Sequence, residues 1–196
     1  MKKSLLKLLL ISIAALCITG KSGATHLMGG NLYYEYLGLG PNGYSYHITL
    51  KIYRYCAPGS SQLPTSMDLG CYIENPSLPL ANKVLQSTYI IPLVSQQIIQ
   101  PPNANDSCAF LPNECVEEGI YETNITLPAS TGGYHLISER CCRNTNIANV
   151  DQPNNTGMVW YAFIPPTSVV NSSPTFAVRS EEHTSELQSR FGISYA

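Results

Sequence analysis

Between Tyr44 and Tyr55 the chain alternates. Tyr44, Tyr46, Ile48, Leu50 and Ile52 are separated by Ser45, His47, Thr49 and Lys51. A period of two is the repeat of a strand with one face buried, and an α-helix cannot satisfy it. No stretch beyond the N-terminal leader shows a 3.6 repeat long enough to compete. Asn31–Leu39, rich in Tyr and Leu, precedes the alternating run, and Gly40-Pro41-Asn42-Gly43 supplies turn chemistry between them. The two segments are expected to form a β-hairpin with a loop of roughly four residues or slightly more. Val84–Val94, Ile120–Leu127 and Tyr134–Glu139 add further strands, with Pro92 confining its strand to an edge or a bulge. Met158–Ile164 is apolar on both faces, as a central strand would be. Ala57–Pro79 and Gln100–Glu118, rich in Pro, Ser, Asn and Gly, are expected as loops. The fold class expected is all-β: an antiparallel, disulfide-stapled β-sandwich of Ig-like or Greek-key type, with about six to eight strands and long loops.

The two ends do not belong to that fold. Lys2, Lys3 and Lys7 precede the apolar run Leu5–Ile18, and Ser22-Gly23-Ala24 provides small residues for a signal peptidase. This is the pattern of a secretory signal peptide cleaved after Ala24. The run is too short for the ~20 residues a membrane span requires. A lipoprotein reading through Cys17 fails on the bulky Leu16 before it. At the other end, Arg179–Ser189 and Ile193–Ala196 match a frame translation of a common short-read sequencing adapter, and Arg190-Phe191-Gly192 falls where its variable index would lie. Residues 179–196 are therefore expected to be an artefact, with the natural product continuing past Val178. His183, Glu181, Glu182 and Glu186 are set aside as site candidates on that ground.

What remains is Thr25–Val178, expected as one domain. It holds five Lys and Arg against ten Asp and Glu, a net of −5, so a basic nucleic-acid footprint is absent. Charged residues are 12% of the whole chain, about half the usual ~25%.

Six cysteines follow the leader: Cys56, Cys71, Cys108, Cys115, Cys141 and Cys142. An even count in an exported chain implies a disulfide framework. Cys108 and Cys115 flank a short loop and are expected to pair locally. Cys141 and Cys142, as neighbours on a strand, point to opposite faces, which favours separate partners in Cys56 and Cys71. A vicinal bridge between Cys141 and Cys142 remains as the alternative and needs a strained turn. No C-x2-C pair supports zinc.

Signals of catalysis are weak. A Cys–His nucleophile needs a free thiol beside His26, His47 or His135. Glu117 and Glu118, the obvious carboxylate pair, are expected to diverge in a solvated turn. Asp68, Asp106 and Asp151 are expected in polar loops, where they offer oxygen ligands to calcium, without an EF-hand spacing. No catalytic residue, metal or other cofactor is expected. Tyr33, Tyr34, Tyr36, Tyr44 and Tyr46 have two readings. As a platform for stacking a glycan they should be exposed in one plane, and as sandwich core most should be buried.

Five blocks together resemble a known family. They are Thr25–Glu35, Ile48–Arg54 followed by Cys56, Cys115–Tyr121, the Glu139-Arg140-Cys141-Cys142-Arg143-Asn144 block, and Asn171-Ser172-Ser173-Pro174. The region resembles the N-terminal module of large secreted surface proteins of Bacteroidetes. These are the gliding-motility-associated, type IX secretion cargo that often carries PKD-like repeats. Tyr55 departs from the pattern, where Asp commonly precedes the Cys. The resemblance implies a secreted or outer-surface location and export by the type IX machinery through a C-terminal domain lost at the cut. It also implies a non-catalytic structural or adhesive role towards a surface polymer or protein, with no membrane span after signal cleavage. A carbohydrate-binding module attached to an adhesin or enzyme is the alternative.

Overall fold

The computed structural model describes residues 26–74, 83–99, 115–145 and 147–174. The expected leader, the 179–196 tail, Asp106 and Cys108 lie outside the described residues. Seven strands follow in order: β1 Leu27–Gly40, β2 Gly43–Tyr55, β3 Ser66–Glu74, β4 Lys83–Ile99, β5 Val116–Leu127, β6 Tyr134–Cys141 and β7 Gly157–Ile164. A 3-10 turn, Pro153–Asn155, precedes β7.

The strands form one antiparallel sheet in the order β1-β2-β5-β4-β3-β6-β7. Within it, β6-β3-β4-β5 is a Greek-key order, because β3, β4 and β5 follow one another and β6 returns beside β3. The long strand β4 holds the two halves together. Its first part, to Pro92, pairs with β3, and from Leu93 onward it pairs with β5. The change of partner coincides with a register shift between Leu93 and Ser95. Pro92 has no N–H to give to a ladder, and a bulge beside it is where such a residue belongs. The sheet curls into a half-barrel, bringing β1 close to β7: the Tyr34 hydroxyl donates to the Phe163 carbonyl at 3.0 Å.

Alternation in β2 positions the core. Tyr46, Ile48, Leu50 and Ile52 are all buried, and they join Leu69, Tyr121, Leu127, Leu136 and Trp160 in one cluster. Each such side chain contributes about 1.5–3 kcal/mol relative to staying in water. Gly43, with φ +126°, starts β2, and a Cβ there would run into the Leu127 carbonyl. Gly40 pairs directly with Gly43, so the β1–β2 turn holds two residues, tighter than the loop expected.

Three further expectations are corrected. β3 lies inside the expected loop Ala57–Pro79, and β5 begins at Val116 within the expected loop Gln100–Glu118. β7 ends the sheet order instead of sitting at its centre, and its burial alternates strictly.

The cysteine pairing also differs. Cys56 bonds Cys115, with their Cα atoms 5.0 Å apart. Tyr55 and Val116 are the last paired residues of β2 and β5, so the next residue on each side brings a cysteine. Strand register, not loop proximity, chooses this partner. Cys141 bonds Cys142. β6 ends at Cys141, so the opposite-face rule for strand neighbours does not reach Cys142. Cys71 is a free, buried thiol on the core face of β3.

Candidate functional site

The two halves of the sheet have different outer faces. On the β1-β2-β5 half, the residues between the core positions of β2 meet polar partners on β5. His47 Nδ1 lies 2.7 Å from Asn124 Oδ1, and its Nε2 lies 3.8 Å from Glu122. Lys51 Nζ stands 3.9 Å from Glu118. The Tyr53 hydroxyl donates to Glu118 Oε1 at 3.2 Å and Gln97 Nε2 donates to Oε2 at 2.8 Å. Burial first, and then the Glu118 carboxylate, raises the Tyr53 pKa.

Glu117 and Glu118 do diverge, to opposite faces of β5, but neither sits in a solvated turn. Glu117 pairs with Arg54 on the core face, where Arg54 is 4% and Glu117 7% exposed. Arg54 also donates to Ser60 Oγ at 3.1 Å and to the Ser61 carbonyl at 2.7 Å, and Gln96 donates to Glu117. A buried pair with its remaining hydrogen-bonding groups matched in this way is a structural unit. The Cys56–Cys115 bond begins two residues away on each strand.

The five β1–β2 tyrosines do not form one plane. Tyr34, Tyr36, Tyr44 and Tyr46 share the core face and pack against each other, with ring centroids 5.9 Å apart for Tyr34–Tyr46 and 5.5 Å for Tyr36–Tyr46. The pairing register puts Tyr33 on the opposite face, across from Thr49. Tyr34 and Tyr46 are buried and the other three are half-buried. Burial pushes the Tyr46 pKa up to about 12.

Among the described residues, the exposed aromatic side chains are on β7. Val159, Tyr161 and Phe163 are 58%, 53% and 40% exposed, and they alternate with buried Met158, Trp160, Ala162 and Ile164. His135 of β6 lies beneath them. Its ring stacks on Tyr161 at 5.8 Å, packs on Phe163 at 4.8 Å, and places Nδ1 2.7 Å from the Tyr161 hydroxyl.

Beyond β7 the chain doubles back along the free edge of β1. Ser173 N–H donates to the Tyr34 carbonyl at 2.8 Å, Tyr34 N–H to Ser173 Oγ at 3.1 Å and Tyr36 N–H to Ser172 Oγ at 3.0 Å. Asn171 Nδ2 donates to the Tyr34 hydroxyl at 2.9 Å. Residues 171–174 therefore form a strap that blunts an otherwise open sheet edge. Between strap, β1 and β7 lies a cleft of about 400 Å3, lined by Leu32, Tyr34, Tyr161, Ala162, Phe163 and Asn171–Pro174. Nothing in that lining carries a formal charge. Burial raises the Tyr34 pKa, partly offset by the Asn171 hydrogen bond, so the phenol stays neutral and donates to the Phe163 carbonyl.

The remaining sequence candidates are scattered. His26 lines a recess of about 190 Å3 with Ser60 and Asn144, and its Nδ1 is buried without a hydrogen-bond partner. Asp68 and Asp151 are exposed. Among the described residues, no three His, Cys, Asp or Glu side chains are grouped to hold a metal ion. Nor, among them, is any helix long and apolar enough to cross a membrane. Tyr161 and Phe163 escaped the sequence reading because a strand apolar on both faces looks like a central one. The signal available was the strap motif Asn171–Pro174, which offers three hydrogen-bonding side chains next to a proline.

Comparison with known protein families finds no match to this chain. Comparison with the curated proteins and with the solved structures finds no match either.

Proposed function

We propose that Thr25–Val178 is a non-catalytic extracellular module, structural or adhesive, of a larger surface protein. The observation that carries this reading is the Cys56–Cys115 bond, which ties β2 to β5 where their pairing ends. Structural disulfides persist in oxidising compartments outside the cytosol, and they stabilise long-looped domains against unfolding and proteolysis. On this reading the curled sheet acts as a Greek-key sandwich whose halves share β4. The resemblance to gliding-motility-associated, type IX cargo names the kind of parent protein and its export route.

The test is proteinase treatment of intact cells of the native host, followed by detection with an antibody against Thr25–Val178. Loss of the signal from intact cells is the expected result. A signal protected until the cells are lysed would overturn the extracellular reading.

A further inference from the structure

We infer that the cleft between β1 and β7 binds a neutral sugar unit of a surface or extracellular polysaccharide. This inference rests on the adhesive reading above and names the ligand class and the residues.

The chemistry of the lining selects the ligand. Without a charged side chain, the cleft has nothing to compensate a phosphate, a carboxylate or an ammonium group, whose desolvation would oppose binding. Its lining combines three aromatic residues, Tyr34, Tyr161 and Phe163, with the uncharged polar residues Asn171, Ser172 and Ser173. A pyranose has matching properties, with apolar C–H faces and a rim of hydroxyl groups. The volume of about 400 Å3 lies within the roughly 300–1,000 Å3 typical of small-ligand sites.

The polar groups are also held before any ligand arrives. Ser172 Oγ and Ser173 Oγ each accept a backbone N–H from β1, which leaves their own O–H free to point towards a ligand. Asn171 is held through Nδ2 by the Tyr34 hydroxyl, itself fixed on the Phe163 carbonyl, and its Oδ1 is an acceptor. The His135 contact holds the Tyr161 ring. Groups already ordered lose little entropy on binding, so more of the contact energy appears as affinity.

Affinity electrophoresis of the oxidised full chain tests this, in native gels containing mannan, dextran, xyloglucan or arabinogalactan, with alginate as an acidic polymer. At least one neutral polymer is expected to retard the chain. Tyr161→Ala and Asn171→Ala should each weaken that retardation about tenfold or more. Tyr161 also packs on His135 and Asn171 also bonds the Tyr34 hydroxyl, so a thermal melt of each variant is read beside the gel, and the loss of retardation counts where the variant is still folded at the gel temperature. Glu139→Gln, on β6 outside the cleft, should bind as the parent does.

Retardation by alginate alone would overturn the inferred chemistry. Retardation by a neutral polymer that both alanine variants retain would overturn the site. No retardation in any gel would overturn the proposal altogether. Proteinase accessibility on cells is read independently, so a chain that is surface-exposed yet binds no polymer leaves the adhesive or structural reading standing and removes only the sugar.

Discussion

β2 and β7 are both apolar strands, but they meet water differently. β2 presents only one apolar face, and its other face is occupied by His47, Lys51 and Tyr53 with partners on β5. β7 ends the sheet, and its outer face carries Val159, Tyr161 and Phe163 uncovered. An antiparallel sheet normally resolves one wet face by alternation to polar residues. β2 follows that rule and β7 does not, so the two strands present different surfaces to water. The outer face shared by β2 and β5 is polar, whereas that of β7 is apolar and aromatic; elsewhere Leu37 and Leu39 near the β1–β2 turn and Ile90, Val94 and Ile98 on β4 are exposed too, but without an aromatic cluster. Exposed aromatic clusters of this kind mark interaction surfaces in soluble domains.

The largest effect expected lies at the stapled end of the first half. Arg54→Met would leave Glu117 buried without its cation, a change that costs about 3–5 kcal/mol in comparable settings. Denaturant unfolding of the oxidised chain measures it. Adding Glu117→Leu to Arg54→Met should recover much of the loss, because an apolar pair of similar volume needs no compensating charge. If the single variant unfolds at the parent midpoint, the pair contributes nothing and that end of the sheet is held by the disulfide alone.

The two disulfides should separate next. Cys56–Cys115 closes a loop of 59 residues in sequence. Replacing both cysteines by serine should cost about 4 kcal/mol on the chain-entropy account. Cys141–Cys142 joins neighbours and closes essentially no loop, so its double-serine variant should shift the unfolding midpoint by under about 1 kcal/mol. Equal losses from the two would mean that the vicinal bond holds the Leu27–Arg143 bridge and the Asn144 N–H to Leu27 carbonyl bond that follow it.

The same contrast explains what could be read from the chain. β2 stood out because its partners in energy are its own neighbours in sequence, alternating within nine residues from Tyr44 to Ile52. β3 was hidden even though Met67, Leu69 and Cys71 alternate inward, because Gly70 interrupts it and Pro64 and Pro76 flank it. The start of β5 was hidden for a different reason. Two adjacent acids oppose a strand assignment locally, and only Arg54, 63 residues earlier, makes Glu117 acceptable inside. The cysteine partners failed in the same way, since register brings Cys56 to Cys115 and no spacing rule contains that information. The β1–β2 tyrosines were visible as a group, and their sharing between two faces followed from pairing. The β1/β7 cleft needed the curl of the whole sheet, which no local window holds.

A graded effect is expected at alkaline pH. Burial pushes the Cys71 thiol up from 9.0 to about 11 and the Tyr121 phenol up from 10.0 to about 12. Each group is protonated in both states below its unfolded value, so its contribution is fully present there. As pH rises above that value, the unfolded chain releases the proton first, and stability falls until the folded value is passed. These groups should therefore cost no stability below about pH 9, and the unfolding midpoint should decline between about 9 and 12. Cys71→Ala should remove the part of the decline between about 9 and 11 and leave the later part to the tyrosines. An unchanged decline from pH 9 in Cys71→Ala would mean that the thiol is not shielded from water.

The smallest effect is the one that bears most on β7. Val159→Thr keeps a β-branched side chain at a position 58% exposed, so it should change stability by no more than about 0.5 kcal/mol. Ile48→Thr puts the same polar group into the core of β2, where Ile48 is fully buried, and should cost several times as much through lost burial and an unmatched hydroxyl. Parallel thermal melts of the two variants measure the difference between the faces. If Val159→Thr approaches Ile48→Thr, the outer face of β7 is covered in the folded protein, and its aromatic residues belong to a core. If the two stay far apart, the outer face of β7 meets water at Val159, and Tyr161 and Phe163 present there whatever surface their packing on His135 leaves open.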